Sequence, residues 1–133
     1  MAKLKILVFG NTLLRNDRLP ITMMKELQKE FPDIEFREFD TVEDLHKEGR
    51  SLYIVDTVEG IDHVITITGI DQLITNKIYS VHDFDLAYNL KLLKKADMIE
   101  NVMIFGIPMA MKKGQALREL KKIIRSTLLL END

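Results

Sequence analysis

Apolar residues fall along this chain in two kinds of pattern. Short, nearly uninterrupted runs closed by glycine, proline or aspartate predict strands: "KLKILVF" from Lys3 to Phe9 ends at Gly10, "SLYIVD" runs from Ser51 to Asp56, and "NVMIFGIPM" runs from Asn101 into a glycine and a proline. Runs of this kind suit strands buried on both faces. "IEFREF", Ile34 to Phe39, alternates apolar and charged residues instead, as an outer strand does. The stretch from Val64 to Leu73 is rich in isoleucine and threonine and predicts one or two further strands broken at Gly69.

The other pattern repeats every three to four residues. Pro20 suits a first helical turn, and "ITMMKELQKEF" puts Ile21, Met24, Leu27 and Phe31 on one stripe opposite lysines and glutamates, with a stop near Pro32. "TVEDLHKE" predicts a short helical turn. From Asp85, "DLAYNLKLLKKA" places Leu86, Leu90 and Leu93 on a common face, with Leu92 beside them and lysines in the last turn, where they favour the helix dipole. Lys113 to Leu130 carries Leu117, Leu120, Ile123, Ile124 and Leu128 at helical spacing.

Strands alternating with helices of this length predict a single α/β domain over residues 1–133, a three-layer α/β/α arrangement with a mostly parallel central sheet. In such sheets ligands bind beyond the carboxyl ends of the strands, where the winding reverses.

Charge changes this picture little, because 19 basic and 21 acidic side chains nearly cancel and neither sign forms a long block. That balance argues against nucleic acid or an anionic membrane as the partner. The absence of cysteine excludes disulfides, iron–sulfur ligation, thiolate zinc sites and thiol nucleophiles, so any metal must be met by oxygen and imidazole. No apolar run has the length of about 18 residues that a membrane span needs, and "MAKLKILVFG" is too short and strand-like for a signal peptide; a soluble cytoplasmic protein is expected.

Candidate chemistry concentrates in three loops: "GNTLLRND" after the first strand, "DTVEG" after the second buried one, and "SVHDFD" before the leucine-rich helix. Asp56 directly follows Val55, which predicts a carboxylate at a strand tip. Adjacent strands lie about 4.8 Å apart, close enough for Asp17 from a neighbouring loop to reach it and for His82 to complete a group. Two carboxylates and an imidazole suit a borderline divalent ion such as nickel, zinc or iron and leave coordination positions open. Taken singly, these residues have plainer roles: aspartates after strands commonly cap helices or fix turns, and a loop histidine commonly caps or packs.

Asp85 is the better N-cap of the following helix, which leaves Asp83 without a ligand role. His63 beside Asp62 reads as an exposed turn residue and His46 as a surface one, while Glu59 and Gly60 are placed to wall the cleft, Gly60 allowing a peptide backbone to approach. Neither Ser51 nor Ser80 has a G-x-S-x-G setting, and "FGNTLLRND" lacks the glycines of a dinucleotide or phosphate loop. The methionines read as core filler.

"FGNTLLRND", "YIVDTVEG" and "SVHDFDL", followed by "IFGIPM", together resemble the hydrogenase maturation endopeptidases, which process the large subunit of nickel–iron hydrogenases. The resemblance runs from about Leu4 to Met109 and keeps the loops in the family's order; the short form and the "HDFDL" wording look like an archaeal subgroup. Gly10, Asn11 and Leu13 match the family's Gly-Asn-x-Leu start. The resemblance implies that Asp17, Asp56 and His82 contact nickel, that the nickel is supplied by the substrate, and that the activity is an aspartic-type removal of the carboxy-terminal extension of the large-subunit precursor. The chain departs from the pattern at Asn16, where the first acid of a pair is common, and at Arg18, Leu19 and Pro20, which replace a glycine-rich continuation. Two alternatives remain open: a non-catalytic metal- or peptide-binding module on the same fold, and a receiver-like domain with Asp56 as phosphoacceptor.

Overall fold

The computed structural model describes residues 4–9, 19–39, 45–58, 60–68, 88 and 90–129. Five strands, β1 (Leu4–Phe9), β2 (Ile34–Phe39), β3 (Ser51–Val58), β4 (Ile65–Thr68) and β5 (Asn101–Pro108), form one sheet in the order β2-β1-β3-β5-β4. β1 pairs in parallel with β2 and β3, and β3 with β5; β4 alone runs antiparallel, against β5. The uninterrupted apolar runs became the three inner strands and the alternating "IEFREF" became an edge strand, as their patterns predict.

Helices α1 (Leu19–Glu30) and α3 (Lys113–Ile124) cover one face; a π-helical turn, Arg125–Leu129, continues α3. The core beneath them joins Ile6, Val8, Val55, Phe105 and Ile107 of the sheet to Met23, Leu27, Ala116, Leu120 and Ile124. The other face carries Leu7, Phe9, Leu52, Ile54, Val102 and Ile104, packed against Leu90 of the helical residues 90–95, called α2 here. Helices on both sides of a mostly parallel sheet make the expected three layers.

The α1 stripe is rotated from its predicted phase. Met23 and Leu27 are fully buried with Phe31, whereas Ile21 and Met24 are only half-buried flanks. Pro20 is also buried, so the inward line runs through positions 20, 23, 27 and 31. In α2, Leu90 is buried as expected, Leu93 is partly so, and Leu92 turns outward at 48% exposure. Past Phe31 the chain turns at Pro32, and Gln28 ties that turn down: its Nε2 donates to the carbonyls of Phe31 (3.3 Å) and Ile34 (2.7 Å), and its Oε1 accepts from the Phe36 amide at 3.3 Å.

Of the predicted Val64–Leu73 stretch, Ile65–Thr68 form β4, and its residues beyond Thr68 lie outside those described. No described helix is long and apolar enough to cross a membrane.

Candidate functional site

The winding of the sheet reverses between β1 and β3: from β1 the chain goes outward to β2, then returns to the other side of β1 for β3. The carboxyl ends of β1 and β3 therefore border the crevice where this architecture places ligands. Asp56 is at that border. Val8 pairs with Val55, so the next step of the register sets Asp56 level with Phe9, the last residue of β1. The strand tip predicted at Asp56 is displaced, because β3 continues through Thr57 to Val58 alongside Ile107 and Pro108 of β5.

Alternation along β3 puts the Asp56 side chain on the α2 face, with Leu52 and Ile54. There its register neighbours are the ring of Phe9, itself edge-on to Phe39 at 5.6 Å, and Gly106, which has no side chain. Asp56 is only 2% exposed. A carboxylate taken so far from water needs hydrogen bonds to be tolerated, and one comes from the next residue, whose Thr57 amide donates to Asp56 Oδ1 at 2.9 Å. This bond fixes the carboxylate relative to the strand backbone.

The segment leaving β3 crosses toward β4 along the same carboxyl edge. Gly60 has φ of 80°, a left-handed conformation that glycine adopts without strain, so this glycine is needed for the turn itself. His63 and Asp62 are exposed and paired with each other through Nδ1 and Oδ1 at 2.6 Å, as a surface turn predicts. The end of the segment is held by a residue with no sequence signal. Glu119 of α3 accepts from the Val64 amide at 2.9 Å and from Gln115 Nε2 at 3.0 Å. Those two hydrogen bonds, in that order of size, hold its carboxyl below the ordinary glutamate range, with His63 and Arg118 adding smaller attractions against the cost of burial.

The same fold occurs in solved endopeptidases. An endopeptidase from Escherichia coli, solved in solution, has a TM-score of 0.65 at 15% identity, the match covering 94% of each chain. The hydrogenase maturating endopeptidase HybD from E. coli has a TM-score of 0.62 at 16% identity, covering 96% of this chain and 94% of that one. An uncharacterized protein from Wolinella succinogenes has 0.55 at 14% identity, covering 92% of this chain and 96% of that one. No protein-family model matches the sequence, and no curated protein does. At such identities the likeness extends to the fold.

Of the residues singled out from sequence, Asp56 and Gly60 stand at the carboxyl edge, whereas Gly10, Asn11, Asp17, Glu59 and His82 lie outside the described residues. Among the described residues no group of three or more metal-ligating side chains comes together. The receiver-like alternative expects an all-parallel 2-1-3-4-5 sheet; the order ending β5-β4 with β4 reversed departs from it. A groove of about 440 Å³ between Ser51, Tyr53, Thr68, Lys94, Asn101 and Met103 opens at the amino ends of β3 and β5, the opposite edge from Asp56.

Proposed function

We propose that this protein is an endopeptidase that removes the carboxy-terminal extension of a nickel-loaded nickel–iron hydrogenase large-subunit precursor. The observation that carries the reading is a buried aspartate, Asp56, at the carboxyl edge of β3 beside the winding reversal, in a fold shared with a hydrogenase maturating endopeptidase. The order of the "GNTLLRND", "DTVEG" and "SVHDFDL" loops supports it.

In this reading Asp17, Asp56 and His82 reach nickel that the precursor already holds, and Gly10, Asn11, Glu59 and Gly60 receive the tail. Oxygen and imidazole ligands without a thiolate make a poor permanent cage but a suitable set for touching an ion held by another protein. The Thr57 amide keeps one Asp56 oxygen occupied and the carboxylate oriented. Fixed orientation is what a positioned reactant requires, since holding the tail and the attacking group in reach removes an entropic barrier worth several kcal/mol. The lack of cysteine agrees with work in a reducing cytoplasm. Membership of an archaeal subgroup belongs to the same proposal.

The test is to incubate the protein with nickel-loaded precursor and follow the precursor's mass. Loss of the tail by the wild type, abolished in Asp17→Asn, Asp56→Asn and His82→Ala, is expected. Normal cleavage by all three variants would overturn the site; stable binding without cleavage by the wild type would favour the non-catalytic module, which the departures at Asn16 and Arg18 suggest.

A further inference from the structure

The end of the sheet beside Asp56 is built around a missing side chain. Gly106 is the register partner of Asp56 across the β3–β5 ladder. A Cβ placed on Gly106 would lie 2.9 Å from Val58 Cγ2, 3.4 Å from Ile65 Cγ1 and 3.7 Å from Val58 Cβ. Two carbons attract best at about 3.5–4.0 Å, so the first of these contacts is repulsive. Val58 is 1% exposed and follows Asp56 by two positions, which puts both side chains on one face of β3.

Val58 cannot easily give way. Its methyls sit directly on Cβ and move only by turning χ1 between staggered wells. Ile65, paired with Gly106 from β4, closes the other flank. A methyl at position 106 therefore pushes on the end of β3, and Asp56 stands two residues back along that strand.

We propose that Gly106 is a positioning residue for Asp56: with no side chain at 106, Val58 lies over the β5 backbone and locks the end of β3, and with it the Asp56 carboxylate, in register. Its consequence for catalysis rests on the peptidase reading; its consequence for geometry rests on packing alone.

The two are separated by measuring both in Gly106→Ala, in Val58→Ala and in the double variant. Because the Thr57 amide donates to Asp56 Oδ1, its proton shift in a 15N-labelled sample reports the carboxylate position. Gly106→Ala is expected to move the Thr57 resonance, and Val58→Ala in the same chain to return it to its position in Val58→Ala alone. For tail release from the nickel-loaded precursor, kcat falls on the order of 100-fold in Gly106→Ala with little change in KM, the scale of a misplacement near 1 Å, and returns in the double variant to the value of Val58→Ala alone. If Gly106→Ala fails to fold, the double variant is compared with Val58→Ala alone, and the same Thr57 resonance and kcat are expected in both. An unmoved Thr57 resonance, or a double variant no better than Gly106→Ala, overturns the proposal. If Asp56→Asn abolishes cleavage while Gly106→Ala behaves as wild type, positioning fails and the peptidase reading stands; if the wild type cleaves nothing but Thr57 responds and is rescued, the reverse holds.

Discussion

Asp56 and Glu119 are two carboxylates at the same edge of the sheet, and only one announces itself in the sequence. Asp56 ends an apolar run, and an acidic residue there is conspicuous because the preceding positions are buried. Glu119 looks like any exposed helical glutamate, since its partner, the Val64 amide, is 55 positions away. Its anchoring has a pH signature. The folded-state pKa is lowered, so the stabilisation Glu119 brings is complete above the ordinary glutamate value and is lost as pH falls through the lowered folded value. Glutamine in its place keeps an acceptor oxygen but not the charge. In urea titrations Glu119→Gln is expected to be less stable than wild type at neutral pH, with the gap closing in acid; a gap independent of pH would show that the charge does not hold Val64.

Gly106 was equally hidden, since a glycine in a strand signals a close approach without saying of what. From the sequence Gly60 reads as a point where a peptide backbone can approach; its positive φ adds a role in the turn itself, which the sequence did not announce.

At the scale of elements, buried strands were the most readable, because an apolar run of six to eight residues has few other fates in a chain this short of membrane-spanning length. Helix phase was less so: choosing between Met23 and Met24 as the inward residue of α1 turns on a rotation of about 100°, and both are apolar. The direction of β4 was unreadable from its own residues, Ile65–Thr68, which alternate alike in either direction.

α3 supplies two predictions. Leu120 is fully buried between α1 and the sheet, so Leu120→Ala is expected to destabilise the fold by about 3 kcal/mol in urea, transfer and cavity terms combined. A cost under about 1 kcal/mol would mean that α3 is not packed as described. Its start is imperfect: Lys112 has the extended φ and ψ of a cap residue, −68° and 144°, but makes no side-chain cap bond. Lys112→Asp supplies an acceptor for the free amides and a charge that suits the helix dipole, and is expected to stabilise by about 1 kcal/mol. No gain in melting temperature would contradict that cap geometry.

For the whole molecule, the alternation of strands and helices was enough to anticipate three layers, because right-handed crossovers leave few ways to wind a parallel sheet. The structure adds the strand order, which sets the reversal between β1 and β3, where Asp56 stands. What the sequence leaves unsaid about the site is spatial. Asp17, Asp56 and His82 are separated by dozens of residues, and no periodicity encodes whether they come together.

The proposed function has this chain trim a precursor that it recognises through its nickel. It is tested most directly by intact-mass measurement of a nickel–iron hydrogenase large-subunit precursor, nickel-loaded and metal-free, after incubation with the wild-type protein. Loss of the carboxy-terminal extension from the nickel-loaded form and an unchanged mass for the metal-free form are expected. A nickel-loaded precursor that keeps its full mass, or equal cleavage of both forms, would contradict it.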